Sequence, residues 1–143
     1  MLKNIDPLLT PDLLRALAAM GHGDTIAVCD ANFPAYSVAG SKPLIHLPDA
    51  GALDVVRAIL TLLPLDTFVE HPVLRMQQVG DPDTLAEIQR EANDTIFKKL
   101  DPVASLGGLE RHAYYAKARE AFAVVATGER KPYGNFLLFK GVL

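Results

Sequence analysis

The five residues Thr25–Cys29 constrain this chain most. They form an uninterrupted apolar run of strand length, without the polar alternation of a strand that faces water on one side. Such a run fits a strand covered on both faces, which belongs in a sheet with helices packed on either side. Other short runs, Leu44–Leu47, Phe122–Ala126 and Phe136–Phe139, are bounded by turn residues and also read as strands. Helical patterns lie between them. Thr10 is a good N-cap, Pro11 suits the first helical position and Asp12 complements the helix dipole. Leu13, Leu14, Leu17 and Met20 then make one apolar face, and Gly21 reads as the stop.

Asp49 is placed to cap a second helix over Gly51–Leu63, with Leu53, Val56, Leu60 and Leu63 on one side and Pro64 at its end. Thr67–Val79 reads as extended and interrupted by Pro72. Asp81 and Pro82 open a third helix, with Leu85, Ile88 and Ile96 spaced for burial. Asp101–Gly108 reads as a loop and Arg111–Ala121 as a short helix carrying Tyr114 and Tyr115. Helices alternate with strands throughout, so the expected class is α/β: a single domain, residues 1–143, with a largely parallel sheet flanked by helices.

Composition narrows the function. The chain has 143 residues, half of them apolar. That surplus suggests subunit interfaces, because charge or proline breaks each apolar stretch well short of the roughly 20 residues a spanning helix needs. Lys3, Asp6 and Pro7 interrupt the N-terminus, which therefore does not read as a secretory signal. A net charge of −3 gives no electrostatic reason to expect nucleic acid. The single Cys29 excludes an internal disulfide and suits a reducing compartment, so a cytoplasmic location is expected. Neither Gly21-His-Gly nor Gly107-Gly108 has dinucleotide spacing, and no phosphate loop is present. The four histidines, at 22, 46, 71 and 112, lack close pairing, so neither a metal nor a cofactor is expected. Ser37, Ser41 and Ser105 lie in no nucleophile-elbow context.

Neutral acid–base chemistry is what remains. His22 follows a helix end, and a free imidazole titrates near neutral pH, which suits a group that gives and takes protons in turn. The strand at 25–29 delivers Asp30, Asn32 and Tyr36 to a loop in which Pro34 prevents regular structure. Thr127–Asn135 joins two strands yet carries Arg130, Tyr133 and Asn135, more hydrogen-bonding groups than a bare turn requires. Each has a plainer reading taken alone: His22 as a capping or surface residue, Asp30 as a turn-former, and 127–135 as a solvated hairpin using Gly128 and Gly134.

Three motifs occur in order: Met-Gly-His22-Gly-Asp24, Asp30-Ala-Asn-Phe-Pro34, and Thr127-Gly-Glu-Arg followed by Tyr133-Gly-Asn135. Together they resemble the ribose pyranase and fucose mutarotase (RbsD/FucU) family over nearly the whole chain. The Gly134 between Tyr133 and Asn135, the Arg111 and the Gly-Glu-Arg triplet at 128–130 look like the fucose branch. Tyr36-Ser37 departs from the expected His-Ser ending. The resemblance implies a cofactor-free isomerase that interconverts the anomers of a free monosaccharide, with L-fucose as the sugar. It also implies rings, commonly two stacked pentamers, with sites near subunit boundaries. By motif match, His22 and Tyr133 would be catalytic, and Asp30, Arg111, Tyr133, Gly134 and Asn135 would contact sugar hydroxyls. Asp30 would fix a hydroxyl or orient the imidazole. A ribose pyranase activity, a non-catalytic sugar-binding module and an isomerase or epimerase acting at carbon are the alternatives.

Overall fold

The computed structural model describes residues 1–100 and 106–143. Thr25–Cys29 forms β1, buried along its whole length. The strands β2 (Leu44–Leu47), β3 (Val73–Met76), β4 (Leu106–Leu109), β5 (Ala123–Thr127) and β6 (Phe136–Phe139) join it in one sheet of order β2-β5-β1-β6-β3-β4. Pairings β1–β5, β2–β5 and β3–β4 are parallel, whereas β6 runs antiparallel to both β1 and β3.

Alternation along the central strands sends side chains to two separate cores. Ile26, Val28, Ala123, Val125, Phe136 and Leu138 enter one, beneath α1 (Pro11–Ala19), α3 (Ala52–Leu60) and α4 (Glu87–Ala92). Ala27, Cys29, Val124, Ala126 and Leu137 enter the other, beneath α2 (Ala35–Ala39) and α6 (Arg111–Glu120). A π-helical turn, Asn93–Phe97, and the short α5, Lys98–Leu100, continue α4. The expected α/β architecture, a largely parallel sheet flanked by helices, is the one observed.

Several local expectations are corrected. Strands β5 and β6 are no hairpin, because β1 lies between them, so residues 128–135 cross over the end of β1. Helix α1 ends at Ala19 with Met20 extended, and the Lys140 ammonium donates to the carbonyls of Leu17 and Met20. The glycine in left-handed backbone is Gly23 (φ 83°) rather than Gly21. Helix α3 is capped from Gly51, with the Glu129 carboxylate accepting from Ala52 N, so Asp49 plays no such part. Helix α4 starts at Glu87, beyond the Asp81-Pro82 turn. Pro34 does not prevent order, since α2 begins directly after it. Residues 106–108 belong to β4, and the rest of the expected loop, 101–105, lies outside the described residues.

Candidate functional site

The site is built where β1 ends. Because β6 runs antiparallel to β1 with Phe136 opposite Val28, Asn135 arrives beside Asp30. The two side chains are 4% and 3% exposed. Asp30 N–H donates to Asn135 Oδ1 at 3.1 Å, and Asn135 Nδ2 donates to Asp30 Oδ2 at 2.8 Å. The other carboxylate oxygen of Asp30 accepts the N–H groups of Asn32 and Phe33, each at 3.0 Å. Burial pushes the Asp30 carboxyl above its ordinary range, while the bonds from Asn32, Asn135 and Phe33 favour the charged form and pull it back.

The chain segment between β5 and β6 is anchored at many points. Thr127 Oγ1 donates to Cys29 O at 2.8 Å, Gly128 N donates to Ala50 O at 2.9 Å and Ala31 N donates to Glu129 O at 2.9 Å. Gly128 passes so close to the backbone that a Cβ there would lie 1.8 Å from Pro48 O. Glu129 uses one oxygen on Lys131 N (2.9 Å) and the other on Ala52 N (3.3 Å).

This anchoring holds Tyr133 at φ 65°, a left-handed conformation that costs an ordinary residue roughly 1–2 kcal/mol. Its hydroxyl accepts from Val79 N at 3.1 Å, and its carbonyl accepts from Gln89 Nε2 at 3.1 Å. Gly134 follows without room to spare: a Cβ would stand 3.0 Å from Glu129 Cγ and Ile88 Cδ1, and 3.4 Å from Asp30 Cβ.

Arg111, the first residue of α6, closes the arrangement. Its Nε donates to Tyr115 Oη at 3.2 Å, and the guanidinium carbon lies 5.4 Å from the Tyr115 ring centre. The result is a cleft of about 250 Å³ with Asp30, Asn32, Arg111, Tyr133 and Asn135 as its polar groups and Phe33, Met76 and Val79 as apolar wall. A surface of this kind can hold several hydroxyls on one side and an apolar ring face on the other.

His22 is elsewhere. It precedes the start of β1, and Gly23 N bonds to Lys140 O just beyond β6. Five residues of strand rising about 3.3 Å each put roughly 17 Å between it and Asp30 within one chain. Within the chain its partner is Asp66, with Nε2 to Oδ1 at 3.2 Å, and not Asp30. Asp66 is buried and also accepts Phe68 N at 2.9 Å. That backbone bond, and secondarily His22, holds its carboxyl below the ordinary range. With a carboxylate as acceptor, Nε2 is the nitrogen that donates, and Nδ1 takes no part in that bond. The exposed ring of Phe68 lies 5.4 Å from that of His22.

Asp30, Arg111, Tyr133, Gly134 and Asn135 are thus brought together, and His22 is not among them. Tyr36 is exposed on α2, where it meets His46 edge-on at 6.2 Å, away from the cleft. Gln89 and Asp66 escaped sequence reasoning, and Glu129 entered it only as part of a motif, without its anchoring role. Each looks like an ordinary surface polar residue in its own segment, and only contacts from distant segments give it a role. Among the described residues no group of three or more His, Cys, Asp or Glu is placed to hold a metal ion, and no helix is long and apolar enough to cross a membrane.

The RbsD / FucU transport protein family matches residues 3–143, and the chain belongs to it. It is 44% identical to the fucose mutarotase of Homo sapiens over 146 aligned residues, covering 99% of this chain and 94% of that one. The solved fucose mutarotase of Streptococcus pneumoniae in complex with L-fucose superposes with a TM-score of 0.90 at 35% identity, covering 99% of each chain. FucU from Bifidobacterium longum gives 0.91 at 36% identity, again over 99% of each.

Proposed function

We propose that the protein is an isomerase of free monosaccharides that interconverts the α and β anomers of L-fucose. The observation that carries this reading is the convergence of the buried Asp30–Asn135 pair with Tyr133 and Arg111 on one small cleft. Full-length relatives named fucose mutarotase support the choice of sugar.

The reaction opens a hemiacetal. A proton leaves the anomeric hydroxyl, another reaches the ring oxygen, and the bond between C1 and the ring oxygen breaks. The free aldehyde turns about its bond to C2, and the ring recloses on the opposite face with both proton transfers reversed. No electrons or groups are exchanged with a second molecule. An acid and a base held within hydrogen-bond reach supply about 10²–10⁴-fold each to such a step. Asp30 and Asn135 accept from and donate to sugar hydroxyls, Arg111 presents a planar fork to two of them, and Tyr133 stands at the reacting oxygens. The main-chain N–H of Gly134 bonds the Asp30 carboxylate and favours its charged form.

His22 shuttles the protons through the free Nδ1 that Asp66 leaves available. Its distance from the cleft within one chain supports a reading in which it acts in the cleft of a second copy. This reading agrees with sites near the subunit boundaries of a ring-shaped homo-oligomer. A buried single thiol, Cys29, accords with work in the cytoplasm.

Saturation-transfer NMR on L-fucose, with D-ribose for comparison and His22→Ala as control, tests the proposal. Fast exchange of fucose that disappears in the variant is the expected result. Wild-type exchange in His22→Ala sinks the role of the histidine, and no exchange with either sugar sinks the activity.

A further inference from the structure

Gln89 sits on α4 with no exposed surface, beside the apolar Ile88 and Ala92. A side chain chosen for packing alone would be apolar here, because an amide is costly to bury unless its groups are bonded. All of them are. Nε2 donates to Met76 O at 2.7 Å and to Tyr133 O at 3.1 Å. Oε1 accepts from Ala86 N at 3.1 Å and lies 3.5 Å from Arg75 Nη1. The orientation is fixed, since a flipped amide would set its NH₂ against two donors and its oxygen against two carbonyls. Two of the four contacts, Met76 and Tyr133, belong to residues that line the cleft.

We propose that Gln89 is a positioning residue for Tyr133. The inference rests on the reading of Tyr133 as a participant in ring opening. The tyrosine is held at two points: Val79 N–H fixes the hydroxyl, and Gln89 fixes the carbonyl of a residue whose left-handed backbone would otherwise relax. Arg75 braces the far side of the amide and also bonds Pro82 O at 2.9 Å, tying the turn before α4 into the same unit. Gln89 has no exposed surface and does not line the cleft, so it fixes the aim of the phenol from behind the cleft wall. A displacement of that aim by an ångström can cost about a hundredfold in rate.

Gln89→Glu separates aim from fold. It keeps an acceptor for Ala86 N and gives Arg75 a charged partner, but it removes the donor to Tyr133 O and sets an oxygen against it. The measurement is kcat and KM for L-fucose anomer exchange together with the thermal midpoint. The expected result is a kcat lowered at least about tenfold with KM within about twofold. Adding Tyr133→Phe should lower it no further than Tyr133→Phe alone does. Ala92→Gly, which loosens the same helix without reaching Tyr133, should lower the midpoint and leave kcat unchanged.

Gln89→Glu at the wild-type kcat, with Tyr133→Phe slow, overturns the inference and leaves the reading of Tyr133 standing. Tyr133→Phe at the wild-type rate overturns both. A change confined to KM assigns Gln89 to binding and overturns positioning. Gln89→Met, of similar shape and lacking both donors, guards against misfolding of the charged variant. If neither variant folds, Gln89 serves the fold alone and the proposal fails.

Discussion

Asp30 and Asn135 lie 105 residues apart and bond to each other twice, main chain to side chain at 3.1 Å and side chain to side chain at 2.8 Å. The pair closes the gap between the ends of β1 and β6 and leaves the carboxylate facing the cleft. Asn135→Ala removes both bonds and should cost about 1–3 kcal/mol near neutral pH. A carboxyl whose folded pKa is raised binds its proton more tightly folded than unfolded. Its contribution to stability therefore falls as pH rises from the unfolded value of about 3.9 through the folded one. The Asn135 donor works against that rise by favouring the charged form, so the gap between wild type and variant should widen from about pH 4 towards pH 7. Urea unfolding across that range measures it, and a gap independent of pH would contradict this account of Asp30.

Two inactive variants should restore each other. His22→Ala keeps the cleft and Asn135→Ala keeps the histidine. If each site takes its histidine from a neighbouring copy, random mixing of the two chains at equal dose leaves about a quarter of the sites intact. Coexpression followed by fucose exchange NMR should recover about that share of wild-type activity. A mixture as inactive as its parents would place both groups in one chain.

Glu129 caps α3 from a loop 77 residues away and fastens the crossover at the same time. Glu129→Ala should lower stability by about 1 kcal/mol, as loss of an N-cap does, and Glu129→Gln by less, because its amide oxygen still accepts from one of the two N–H groups while its NH₂ faces the other. Denaturant midpoints distinguish the two. Equal losses would mean that the charge matters rather than the cap.

Gly134→Ala sets a methyl group against Glu129, Ile88 and Asp30 at once. Overpacking of this kind costs about 1–3 kcal/mol, and here relief moves either the crossover or the carboxylate. Thermal unfolding should show the loss and NMR a fall in fucose exchange of about tenfold or more. A variant as stable and as fast as wild type would show that the neighbours yield freely.

The layering of helices on a central sheet is written in short stretches of sequence. Apolar runs such as Thr25–Cys29 need cover on both faces, and the Thr10-Pro11-Asp12 start of α1 is local chemistry, so both were legible from nearest neighbours. The polar residues of the cleft were legible one by one, and their grouping came from resemblance. Which segments meet is set by the folded arrangement of the strands. The insertion of β1 between β5 and β6 turns a would-be hairpin into a crossover, because a strand that pairs locally can pair better with a distant, wholly apolar partner. The same contact brings Asn135 to Asp30, Glu129 to Ala52 and Gln89 to Tyr133, and it sends His22 to the opposite end of the sheet. No local pattern encodes those meetings, since each hydrogen bond depends on where two unrelated segments cross.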